Sequence, residues 1–370
     1  MYLLLRVLLE RRNALGKLLL PTDVLPNPLV IAVILLLVPA LSGAIGLLLM
    51  RRVMVTPLGV VRRHRERGPR PWPGVLIVLG LVLFAPKTLR MAPKGLRLPE
   101  WLPVAAMIVG VLFVMIGVVV GTGWISYTMG RLLRRYGHGP VTLLAGARLM
   151  ADPWNGSRTL GALLAAVVFG AGTLGYRALL AAQFAAQNQV NRLIGQQDGG
   201  YGAPEDSEFY FGAIRLVMVA VTLALLVAAG GVLVAFAEGI VARRRTFAAM
   251  TASGVPRRKL GAVLIWHTFA PLIPALLLAL VSGASLVRTM QTEVEAGGGT
   301  EVSCVDPAAQ NFATCVKEVA VDPLVVLPIP VPLGQLALLG GGALLVMLLV
   351  TGLGMLVLRS STDLEELRAS

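Results

Sequence analysis

Three histidines and two cysteines are what this chain offers for metal or covalent chemistry, and their spacing builds neither. His64, His138 and His267 are scattered, and no His-Glu-x-x-His or Cys-x-x-Cys occurs, so no metal site is expected. No Gly-x-x-x-x-Gly-Lys-Ser/Thr loop is present, which leaves the chain without a phosphate cradle of its own. The chain reads as a non-enzyme with no bound cofactor. Cys304 and Cys315, with ten residues between them, fall in a segment assigned below to the outer face of a membrane, where a structural disulfide is expected. The chemistry that remains is electrostatic. Glu238, Arg243, Arg244 and Arg245, then Phe247, Met250, Gly254 and Pro256, then Arg257, Arg258 and Lys259, make a basic amphipathic stretch. It lies between two apolar runs, Phe211–Phe236 and Leu260–Leu286, and Gly254-Val-Pro256 is expected to break its helix. Such an element suits docking against a partner rather than catalysis. Glu238 fits either a partner contact or a pair with Arg243. His267, shortly before Pro271 and Pro274, reads as a packing histidine at a helix break.

The elements that position this stretch are membrane spans. At 56% hydrophobic and 14% charged, with a mean hydropathy of +0.79, the chain is an integral membrane protein. Its net charge of +14 does not point to nucleic acid, because the positive residues sit at the ends of apolar runs. Each Arg or Lys at mid-bilayer depth costs roughly 2.5–3.5 kcal/mol on insertion scales, so Arg243–Lys259 must emerge into water. The expected fold is all-α, a polytopic transmembrane bundle of about seven spans with short extracytoplasmic loops. Spans are expected at Pro28–Met50, Gly74–Ala85, Leu102–Tyr127, Thr159–Ala181, Phe211–Phe236, Leu260–Leu286 and Pro332–Leu358. Gly74–Ala85 has only twelve residues and crosses only if its flanks, Trp72 among them, are drawn in.

Charge orients the bundle. The three inner segments carry seven, five and six Lys or Arg, whereas the outer segments after the fourth and sixth spans carry one and two. Leu143–Asp152 reads as a short helix on the inner surface, and Ala182–Tyr210 as a helical extension followed by a Gly-rich turn outside. None of the long spans contains an Asp or Glu, which weighs against proton-coupled transport. Gly117-Val-Val-Val-Gly121 is a close-packing pattern for a helix pair. The organisation expected is an amphipathic N-terminal segment (1–27), a three-span N-terminal region (28–142), a four-span core (143–360) and a cytoplasmic tail (361–370).

The basic stretch resembles the FtsX-like/MacB family of ABC transporter permeases. The family's cytoplasmic loop reads roughly Glu-x-x-x-Arg-Arg-x-Glu-Phe-Ala-x-Met-Arg-Ala-x-Gly-x-Ser/Pro. The residues that carry the likeness are Glu238, Arg243, Arg244, Phe247, Ala248, Met250, Ala252, Gly254, Pro256, Arg257 and Arg258. Ala147-Arg-Leu-Met-Ala-Asp-Pro153, leading to Arg158-Thr-Leu-Gly-Ala-Leu163, is similar to the family's approach to its first core helix. The resemblance covers Leu144–Leu358, and Arg51–Arg62 looks like the tail closing an earlier core in two-core members. Two positions depart from the pattern: Thr246 and Thr251 stand where the family carries an acid and an Arg. The likeness implies a permease subunit of an ABC transporter in the cell membrane, with ATP bound and hydrolysed by a separate cytoplasmic ATPase. It also implies a second permease protomer, and export or extraction of a hydrophobic or peptide-like substrate. A signalling subunit that transmits the ATPase stroke to an outer enzyme or sensor, and a truncated scaffold paralogue, are the alternatives.

Overall fold

The structure, a computed structural model, describes Leu36 and residues 69–85, 101–197, 207–242, 256–304, 317–321 and 323–360. The chain divides into two compact units, one of Met1–Arg67 with Glu208–Ala213, the other of Gly68–Ser207 with Ile214–Ser370. The packing that follows is that of the second unit. Its elements in order are α1 (Pro73–Phe84), α2 (Trp101–Tyr136), α3 (Pro140–Ala151), α4 (Asn155–Gln197), α5 (Glu208–Ala242, continuing from the first unit) and α6 (Arg257–Met290). Four short strands follow, β1 (Glu293–Ala296), β2 (Thr300–Cys304), β3 (Lys317–Val321) and β4 (Val325–Pro328), and then α7 (Leu333–Ser360).

Among the described residues, five helices are long and apolar enough to cross a membrane: Leu102–Tyr136, Thr159–Gly195, Glu208–Gly239, Gly261–Met290 and Leu333–Met355. Leu102–Tyr136, Glu208–Gly239 and Leu333–Met355 leave most of their apolar surface open, whereas Thr159–Gly195 and Gly261–Met290 are more deeply packed. Val227 is 76% exposed and Leu338 77%, values that lipid, not water, accommodates. This is a multi-pass membrane protein with an all-α bundle. The expected span at 28–50 lies outside the described residues. At twelve residues, α1 is about 18 Å long against a hydrocarbon core of about 30 Å, so it does not cross by itself. Pro73 starts it at the first helical position and Trp72 precedes it as the N-cap.

Small residues set how closely the helices approach. α1 runs antiparallel to α2, and a Cβ on Gly80 would stand 2.6 Å from the Gly110 carbonyl oxygen. The expected Gly117–Gly121 contact is real and its partner is α1: a Cβ on Gly117 would meet Ile77 Cγ1 at 2.7 Å and the Pro73 carbonyl at 3.0 Å, though Gly121 only reaches Pro73 at 3.8 Å. α2 continues nine residues past the expected end at Tyr127, through Arg131, Arg134 and Arg135 to Tyr136. The Gly137 N–H bonds back to the Leu133 carbonyl at 2.9 Å, and Pro140 opens α3. α3 crosses α2 where a Cβ on Gly130 would lie 2.9 Å from the Gly146 carbonyl. A turn at Pro153–Trp154 then leads into α4 and lays the Trp154 ring over Gly123.

The core joins Val114 and Val118 of α2, Leu163, Leu164, Val167 and Val168 of α4, Leu272 of α6 and Met347 of α7, all fully buried. Buried hydroxyls spend their protons within their own helices: Thr122 on the Val119 carbonyl at 2.6 Å, Ser282 on Leu278 at 2.6 Å and Thr351 on Met347 at 2.7 Å. Among the described residues, only the buried Ser126 hydroxyl has no partner. Pro271 and Pro274 do not break α6, contrary to expectation; both sit inside one continuous helix. Membrane bundles tolerate such prolines because neighbouring helices compensate the freed carbonyls.

At 43 residues α4 is about 64 Å long, roughly twice the bilayer core, so its C-terminal half projects beyond it as expected. What covers that half was not expected. The segment after the sixth span, expected from sequence as an outer loop over Arg288–Leu327, carries two antiparallel strand pairs, β1 with β4 and β2 with β3. The first pair presents Val294 and Val325 to Leu179, Ala182, Ala186 and Val190 of α4, while Glu293 and Glu295 face outward. Gly297 adopts φ +80°, and its missing Cβ leaves room for the Pro323 carbonyl oxygen against which it packs.

Candidate coupling site

The basic stretch is held at both ends by membrane helices. α5 runs unbroken to Ala242, and α6 begins at Arg257 with Pro256 as its N-cap residue in an extended conformation (φ −67°, ψ 135°). Pro256 therefore marks the helix boundary that the sequence assigned to Gly254-Val-Pro256. Glu238 is exposed on α5, one turn before its end, and Lys259 is exposed in the first turn of α6. Arg257 and Arg258 occupy that same first turn. Arg243, Arg244, Arg245, Phe247, Met250 and Gly254 lie outside the described residues.

These charges run against the helices that carry them. A helix N-terminus bears partial positive charge, so each cation placed there costs roughly 0.3–1 kcal/mol rather than stabilising. Arg257, Arg258 and Lys259 occupy the first turn of α6, which contains no acid. At the other end, Glu238 stands near the negative C-terminus of α5, whose last turn contains no base. Its helical neighbours three and four residues on are Val241 and Ala242, so α5 supplies no i+3 or i+4 partner for it. The helix dipoles favour none of these four charges.

Both ends rest on one wall. Phe236 of α5 packs at 3.9 Å from where a Cβ on Gly354 of α7 would lie, and a Cβ on Gly261 of α6 would lie 3.8 Å from the sulfur of the next residue, Met355. α5 reaches the bundle through one stripe, Val221, Leu225, Ala228, Ala229 and Val232, while Val219, Leu223, Val227 and Val234 stay open. α6 is gripped far more tightly. Gly283 abuts the Val168 carbonyl of α4, and one turn further Val287 packs on Gly175. Two residues after α6 ends, β1 begins, and the Ile329 N–H bonds the Thr292 carbonyl at 3.0 Å. A continuous path of packed elements thus joins Pro256 to the strands on the projecting half of α4. Phe236, Gly261, Gly354 and Met355 were not singled out from sequence. A glycine facing a large side chain from another helix leaves no local signal.

Residues 218–362 match the family described as FtsX-like permease C-terminal. This part of the chain is similar to the C-terminal domain of FtsX-like permeases. The matched region takes in α5 from Met218, the basic stretch, α6, all four strands and α7. No curated protein and no solved structure matches the chain. Within the matched region, Cys304 ends β2 opposite Lys317 of β3. Cys315 lies outside the described residues, two positions before Lys317. Among the described residues no group of His, Cys, Asp or Glu could hold a metal ion.

Proposed function

We propose that this protein is the permease subunit of an ABC transporter in the plasma membrane, driven by a separate cytoplasmic ATPase that docks on Glu238, Arg243–Arg245, Phe247, Met250, Gly254, Pro256, Arg257 and Arg258. The reading is carried by the family match running without interruption through both helices that flank the basic stretch. It is supported by the charges at the helix ends, which the helix dipoles do not favour and which suit an oppositely charged surface brought from outside. In this reading the partner binds and hydrolyses ATP, and its closure displaces the 243–255 segment. α6 carries the shift along α4 to the outer strands, provided the bundle has two packings of different affinity for the partner. A second protomer completes the unit, and the cargo is a hydrophobic or peptide-like molecule exported or extracted from the membrane.

The test is co-purification with a candidate ATPase followed by ATPase assays. Phe247→Asp and Arg244→Glu should each weaken association at least tenfold and abolish stimulation of turnover. An ATPase that binds and turns over identically with both variants would remove the docking assignment.

A further inference from the structure

We propose that the basic end of α2, together with α3, forms a binding site for the headgroup of an anionic phospholipid in the inner leaflet. Arg131, Arg134 and Arg135 are spaced i, i+3, i+4 on the last turns of α2, and all three are exposed. No acid occurs anywhere between Trp101 and Ala151. None of the three guanidinium groups is held by a carboxylate among the described residues; aromatic rings and a thioether hold them instead. The Arg131 guanidinium lies 5.4 Å from the Tyr127 ring centroid and donates to the Tyr127 hydroxyl at 3.4 Å. That of Arg135 lies 5.6 Å from the Tyr136 ring. Arg134 reaches across the helix crossing to the Met150 sulfur at 3.9 Å. Stacking and thioether contacts orient a guanidinium while leaving most of its five N–H donors unspent, and that fork matches the oxygens of a phosphate.

The apolar half of the site is beside it. α3 packs its Ala145, Gly146 and Leu149 face against the bundle and leaves Leu143 and Leu144 exposed, as are Leu132 and Tyr136 of α2. Apolar side chains next to cations at the end of a membrane helix suit a molecule with acyl chains and a negative head, not a soluble anion. The positive-inside rule assigns this end of α2 to the cytoplasmic face, where anionic lipid is available. Asp152, at the far end of α3, is the nearest acid in sequence and caps that helix through its backbone N–H to the Arg148 carbonyl at 3.2 Å.

Simple orientation of the helix by positive charge makes a different prediction from a built phosphate site. Native mass spectrometry of the full chain, released from micelles supplied with phosphatidylglycerol or with phosphatidylcholine, separates the two. Phosphatidylglycerol should remain bound and phosphatidylcholine should not. The triple variant Arg131→Lys, Arg134→Lys, Arg135→Lys keeps every charge and hence the insertion signal, yet loses the planar fork, and should retain phosphatidylglycerol at least about fivefold less well. Arg215→Gln, in the first turns of α5 and remote in sequence, should retain it as the native chain does. Equal retention of the two lipids, native-like retention by the triple lysine variant, or an equal loss in Arg215→Gln would each overturn the assignment.

Discussion

Gly283→Ala adds a single methyl group where α6 crosses α4. That methyl would collide with the Val168 carbonyl oxygen and stand 2.7 Å from the Ala171 Cβ and 3.2 Å from the Gly172 nitrogen. Carbon atoms rest about 3.5–4.0 Å apart, so the two helices must separate by about 1 Å at the crossing. Leu286 and Val287 of α6, which face Gly172 and Gly175 of α4, would be drawn away from it. Overpacking of this kind costs about 1–3 kcal/mol, while alanine in place of glycine within a helix returns up to about 1 kcal/mol. The expected net loss is about 1–2 kcal/mol. Gly172→Ala is the matched control, because its methyl would lie 3.6 Å from the Gly283 carbonyl, an ordinary contact. That variant should keep only the helical gain. Thermal unfolding of both in the same detergent should show Gly283→Ala melting a few degrees lower and Gly172→Ala unchanged or slightly higher. A Gly283→Ala protein as stable as the native chain, or a Gly172→Ala protein equally weakened, would refute the close crossing as the constraint on α6.

Ser126→Ala should leave stability unchanged or raise it by about 1 kcal/mol in the same assay, because the hydroxyl it removes is buried without a hydrogen-bond partner; a clear loss would mean that the hydroxyl is satisfied in the membrane. Non-reducing electrophoresis with thiol labelling should find Cys304 and Cys315 oxidised together. The pairing of Cys304 with Lys317, two positions after Cys315 in sequence, is what motivates the test. Cys304→Ser should then cost about 3 kcal/mol and loosen the outer strands, whereas free labelling of both thiols in the native chain would exclude the bridge.

Much of the bundle was legible residue by residue. Runs such as Phe211–Phe236 and Pro332–Leu358 announce their helices because nothing else hides backbone amides in lipid. The C-terminal extension of α4 was also expected, from polar residues continuing a helical pattern past Ala181. The β1–β4 pair was not, although Glu293-Val-Glu-Ala296 alternates as a strand should. A four-residue strand becomes stable only when Val294 and Val325 find Ala186 and Val190, more than a hundred residues earlier in the chain. The proposed coupling stretch was recognisable from its charges and its glycine-proline boundary. Its support on Gly354 and Met355 was not, because neither residue carries a pattern of its own.

The amino-acid sequence by itself determined that this chain enters a bilayer several times and which ends of its helices carry the positive charge. Both follow from transfer free energies that add up locally along each run. The tertiary structure alone decided which helices touch. Lipid is as apolar as leucine, so burial does not choose one neighbour over another inside the membrane. The choice falls to shape, to Gly80 against Gly110 and Gly283 against Val168, and shape exists only once both partners are in place.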